Sequence, residues 1–129
     1  MTAKRMVLDT DVVIDLLKSK PDVVAQFLAL VESKTIFLVS PVVVAEIYAG
    51  AFEREHKAIE GFFRLCQVVD LDGDTGRTAG LYAKRFSKAF QGVSLEDFLL
   101  AATARAHQCP LWTHNRKHYP MDDVVLFGA

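Results

Sequence analysis

Five short runs of apolar, β-branched and aromatic residues punctuate the chain: Met6-Val7-Leu8, Thr35 to Val39, Gln67 to Leu71, Leu111-Trp112-Thr113 and Val124 to Phe127. Between the first four lie stretches long enough for helices. Strand and helix in repeated alternation imply a parallel sheet covered on both faces, because each crossover must return over the sheet.

The punctuation supports the same reading. Thr10 or Asp11 is placed to cap a helix over Val12 to Leu17, and Pro21 opens another carrying Val24, Phe27, Leu28 and Val31 at helical spacing. Ser40-Pro41 is a cap followed by a favoured first position, starting a helix through Ala51. A helix over about 54 to 65 precedes the third run. Asp74 caps a long helix continuing over Thr78 to Phe90, and Ser94-Leu95-Glu96-Asp97 opens one that Pro110 stops.

The chain has 129 residues, 51% of them hydrophobic, enough for one domain with its own core and no need of a structural metal or disulfides. Mean hydropathy is +0.20, yet no apolar run approaches the roughly 18 residues that span a bilayer. The opening Met1-Thr2-Ala3-Lys4-Arg5 runs at once into Asp9, Asp11 and Asp15, unlike a signal peptide. Cys66 and Cys109 lack the close spacing of a metal knuckle and read as small core residues, so a reducing cytoplasm is expected.

In open parallel sheets ligands bind beyond the C-terminal ends of the strands. Asp9 stands at such an end. Glu46 has Val42, Val43, Ala49 and Gly50 as helical neighbours, and Asp97 has Val93, Ser94, Leu100 and Ala101, so both carboxylates sit on apolar surroundings that call for a cationic partner. Asp97 also has capping-box spacing from Ser94. Three such acids suit a hard divalent cation, which takes oxygen ligands and keeps several waters. The histidines at 56, 107, 114 and 118 have no zinc-motif spacing, although His114 and His118 lie near the expected crevice.

At these residues the sequence resembles the PIN-domain nucleases, and among them the small stand-alone toxins of VapC type. The carriers are Val7-Leu8-Asp9-Thr10-Asp11-Val12-Val13-Ile14-Asp15, Ser40-Pro41 with Val44-Ala45-Glu46, Asp97 to Ala104, and Leu111-Trp112-Thr113-His114-Asn115. The resemblance covers nearly the whole chain. It implies a single three-layer α/β/α domain over 1–129 with a central parallel sheet of about five short strands. It further implies a Mg²⁺- or Mn²⁺-dependent ribonuclease whose acids are Asp9, Glu46 and Asp97, supported by Thr10. Members often carry Asn or Ser where this chain has Asp11, and a fourth acid where it has Asn115, which leaves open whether one or two ions bind. The toxin resemblance also implies a small cognate antitoxin and a homodimer.

Charge is compatible with an RNA substrate despite a net −1. Residues 77 to 118 hold Arg77, Lys84, Arg85, Lys88, Arg105, Arg116 and Lys117 against only Glu96 and Asp97. Such a basic half can track a phosphate backbone, and Arg116 and Lys117 adjoin the expected site. Phe52, Ile59, Phe62 and Phe63 form an apolar group that could receive an amphipathic antitoxin helix, or serve as core.

Two other readings fit parts of the sequence. Asp9-Thr10-Asp11-Val12-Val13 resembles the nucleophile motif of haloacid-dehalogenase-like phosphatases, with Asp122-Asp123 as a later acidic pair, but this leaves Glu46 and Asp97 without a role. A non-catalytic RNA- or protein-binding module of the same fold is the other, motivated by Asn115.

Overall fold

The computed structural model describes residues 4–128, so the reading of Met1 to Ala3 as no signal peptide lies outside the described residues. The elements run β1 (Arg5–Leu8), α1 (Thr10–Leu17), α2 (Pro21–Glu32), β2 (Ile36–Val39), α3 (Pro41–Ala49), α4 (His56–Phe63), β3 (Gln67–Val68), α5 (Gly73–Phe86), α6 (Leu95–Ala106) and β4 (Leu111–Trp112). Short 3-10 turns cover Glu53–Glu55 and Arg116–His118. No helix among the described residues is long and apolar enough to cross a membrane.

All strand pairs are parallel, in the order β3-β2-β1-β4. The registers Val7↔Leu38 and Val7↔Leu111 make β1 central, and Val7, Leu8, Leu38, Val39 and Leu111 are almost wholly removed from water. Burial on both faces is why these strands are apolar at successive positions rather than alternate ones. Helices on the two sides complete the three-layer α/β/α architecture.

The fifth apolar run does not form a full strand. It contributes one parallel bridge, Leu111↔Leu126, flanked by Leu111 N–H to the Val125 carbonyl and Phe127 N–H to the Leu111 carbonyl, both 2.9 Å. It meets β4 at Leu111, the first residue of that strand, and the Phe127 carbonyl that would carry the ladder on instead accepts from the Arg116 guanidinium at 3.0 Å.

Two caps also differ from expectation. Asp9 itself, not Thr10 or Asp11, caps α1. Asp72, not Asp74, caps α5 by accepting from Thr75 N–H at 2.8 Å, while Asp74 pairs with Arg77 on the exposed surface. α5 ends at Phe86, short of Phe90. Ser40 and Ser94 cap α3 and α6 as read from the sequence, Ser40 Oγ accepting from Val42 N–H at 3.1 Å.

From β1 the chain builds outward through β2 to β3 on one side of the sheet, then crosses back to place β4 on the other side of β1. That reversal opens a crevice at the C-terminal ends of β1 and β4. Asp9 follows β1 there, its N–H bonded to the Trp112 carbonyl at 2.9 Å, and Thr113 follows β4 beside it. α3 and α6 flank the same end and pack on each other.

Candidate functional site

Asp9 is a buried carboxylate, 6% exposed, with three donors on its two oxygens. Its Oδ1 accepts from Thr10 N–H at 2.7 Å, and its Oδ2 accepts from the hydroxyls of Thr113 and Tyr119, each at 2.8 Å. The first bond is the α1 cap, so the residue that ends the central strand also starts the next helix.

Asp97 comes from the first turn of α6. Its Oδ2 accepts from Ser94 N–H at 3.1 Å and faces Ser94 Oγ at 3.2 Å, and it lies 3.1 Å from His118 Nδ1. Its Oδ1 is 3.3 Å from the Tyr119 hydroxyl. The capping box read from the sequence is formed, and it orients a carboxylate toward Asp9. Glu46, on α3, accepts at Oε1 from the Thr10 hydroxyl at 2.9 Å. The structure therefore brings together Asp9, Thr10, Glu46 and Asp97, 88 residues apart in sequence from first to last.

The acids are joined through hydroxyls rather than packed on one another. Among the described residues no three His, Cys, Asp or Glu side chains close into a ready-made metal cage. Like-charged carboxylates repel, and interposed donors relieve that repulsion. The strain remains visible in the ionisation of the site. Partial burial holds the Glu46 carboxyl above its usual range, and the charges of Asp9, Glu96 and Asp97 add to the effect. Burial does the same to Asp11, reinforced by Asp9. The Tyr119 phenol is pushed far above its ordinary value, chiefly by burial and then by Asp9 and Asp97.

Asp11 points to the other side of the α1 start. Its Oδ2 accepts from His114 N–H at 3.1 Å, tying the segment after β4 to α1, while its buried Oδ1 has no partner. His114 Nε2 reaches Asp15 Oδ2 at 3.0 Å, and Lys20 reaches the other oxygen at 3.3 Å.

The remaining sequence candidates divide. Asn115 is exposed beyond β4, its N–H bonded to Thr113 Oγ1 at 3.0 Å, so it braces a residue that braces Asp9. Arg116 donates to the Phe127 carbonyl at 3.0 Å and is occupied by the C-terminal segment. Lys117 is exposed on the same turn. Phe52 is 62% exposed under the Arg54 guanidinium, whereas Phe62 is half-buried among Phe27 and Phe63. A groove of about 220 Å³ beside Glu46 is lined by Ile14, Leu17, Ile47, Ala51 and Ile59, with Lys18 and Glu55 also on its wall.

His118, placed near the crevice by the sequence, does reach Asp97, whereas Tyr119 and Thr113 are the neighbours of these acids whose contacts sequence reasoning missed. Their signal was faint: Thr113 closes the fourth run, and Tyr119 follows a polar turn that offered no periodicity to read.

This fold, with acids converging at the switch point of a parallel sheet, is that of a PIN domain. The PIN domain family model matches residues 6–124, and the chain belongs to this family. It is 31% identical over 114 residues to ribonuclease VapC19 of Mycobacterium tuberculosis, covering 88% of this chain and 91% of that protein. Among solved structures it is similar to VapBC2 of Rickettsia felis, bound to a promoter DNA fragment, with TM-score 0.81 at 20% identity over 95% of this chain and 96% of that one. DNA-bound VapBC of Salmonella typhimurium matches with TM-score 0.79 at 24% identity over 97% of both chains. Family membership leaves the phosphatase reading of Asp9 and Asp11 without support.

Proposed function

We propose that this chain is a metal-dependent endoribonuclease, the toxin of a toxin-antitoxin pair, leaving 5′-phosphate and 3′-hydroxyl ends. The observation that carries the reading is the convergence of Asp9, Glu46 and Asp97 at the crevice beyond β1 and β4, in a chain 31% identical to a ribonuclease.

The donor set fits a hard divalent cation. It is all carboxylate oxygen, and the ion pairs among the described residues bring no lysine or arginine to these three acids. Asp9, Asp97 and Glu46 would hold Mg²⁺ or Mn²⁺, one ion or two. Bound there, the cation supplies Lewis-acid polarisation of the phosphate, a water of lowered pKa and charge neutralisation at the leaving oxygen.

The chain's own groups supply the rest. Glu46, least constrained of the three and raised in pKa, suits acceptance of a proton from the attacking water. Thr10 aims that carboxylate, and exposed Lys117 on the turn after β4 would contact an RNA phosphate. Exposed Phe52 and the groove beside Glu46 support docking of an amphipathic antitoxin helix next to the acids. A homodimer working in the cytoplasm completes the reading.

Incubation with total RNA in Mg²⁺, Mn²⁺ or EDTA, beside Asp97→Asn, tests it. Metal-dependent cuts bearing 5′-phosphates and absent from the variant are expected. Uncut RNA with folded, antitoxin-free protein overturns the reading in favour of a binding module.

A further inference from the structure

We propose that Tyr119 is the positioning residue of the acidic site: its hydroxyl, seated between Asp9 and Asp97, sets their spacing and decides which carboxylate oxygens stay open to a divalent cation. The inference rests on the metal-dependent reading above.

A phenol has one proton to donate. At 2.8 Å Asp9 Oδ2 takes it, and Asp97 Oδ1 at 3.3 Å is left with a long contact. The Thr113 hydroxyl fills the remaining side of Asp9 Oδ2. On Asp97, Ser94 and His118 occupy Oδ2. The two Oδ1 atoms are thus the acceptors with capacity to spare, one on each carboxylate. Tyr119 is suited to hold this arrangement because it is itself held. It is 5% exposed, and its N–H bonds the Arg116 carbonyl at 3.1 Å.

Phenylalanine would keep the ring and remove the bridge, leaving two acids to repel and turn. Loss of a hydrogen-bonded partner behind a metal-ligating group typically weakens metal binding about 10- to 100-fold.

The test is Mn²⁺ titration by calorimetry of wild type, Tyr119→Phe and Tyr82→Phe, with folding checked by circular dichroism. Tyr82 is a matched control: it too is buried and donates to a carboxylate, Asp123 at 2.8 Å, away from the three acids. The expected result is Mn²⁺ binding at least about tenfold weaker in Tyr119→Phe and unchanged in Tyr82→Phe. Equal or tighter binding by Tyr119→Phe overturns the proposal, as does equal weakening in both variants. No binding by wild type overturns the metal reading itself, and this proposal with it. Should Tyr119→Phe fail to fold, ¹³C-tyrosine spectra of wild type replace it. The Tyr119 ring carbon bearing oxygen must shift on Mg²⁺ saturation while that of Tyr82 does not, and a stationary Tyr119 signal overturns the idea.

Discussion

Thr10 links two acids from opposite sides of the crevice: its N–H lies 2.7 Å from Asp9 Oδ1 and its hydroxyl 2.9 Å from Glu46 Oε1. The backbone half of this link is a helix cap that any residue could supply, and only the hydroxyl half depends on Thr10. Thr10→Ala is therefore expected to fold and to lose about 10- to 100-fold in cleavage rate, with Thr10→Ser restoring most of it. RNA cleavage kinetics beside a thermal melt check both parts.

Asp97 serves the helix and the site at once, and two substitutions separate the roles. Asp97→Asn keeps an oxygen for Ser94 N–H, so the melting temperature should hold while cleavage falls by about a hundredfold or more. Asp97→Ala should lose cleavage equally and a further ~1 kcal/mol of stability with the capping box. Equal stability of the two variants, measured in denaturant, would remove the cap from the account.

The basic residues on the turn after β4 are not equivalent. Lys117→Ala should lower RNA affinity and reduce the salt slope of binding by about one, with no change in melting temperature. Arg116→Ala should lower the melting temperature, since its guanidinium anchors the Phe127 carbonyl. Affinity measured across a salt series on both variants decides this.

Asp72 ties its cap to pH. The Thr75 N–H holds its carboxyl below the usual 3.8, so the charged form is favoured in the folded state. A depressed carboxyl stabilises above its unfolded value and loses that contribution as pH falls through the folded value. Asp72→Ala should accordingly melt below wild type at pH 7, and the two melting curves should converge as pH drops beneath about 3.8.

Burial pushes the Cys66 thiol up to about 12, and its Sγ lies 3.7 Å from the Phe62 carbonyl. Against an ordinary 9.0, roughly a thousandfold less thiolate is present at pH 8. Iodoacetamide should label Cys66 very slowly in native protein and rapidly in denaturant, as read by mass spectrometry.

The sequence by itself determined the alternation of strands and helices, the parallel sheet and the caps at Ser40 and Ser94, and it singled out the acids Asp9, Glu46 and Asp97 that the fold brings together. Each of these is written in local terms: an apolar run, a serine before a proline, a carboxylate among apolar neighbours. Tertiary structure decided what no local pattern carries. That the Val124 to Phe127 run stops at one bridge depends on the Arg116 guanidinium taking the Phe127 carbonyl, not on the run's own propensity. Phe52 and Phe62 read alike in sequence, and only packing against Phe27 separates the half-buried ring from the exposed one. Tyr119 lies 110 residues from Asp9 and 22 from Asp97. A hydroxyl that bridges two carboxylates has no spacing rule, because the bond exists only once the sheet brings the end of β1 to the segment following β4.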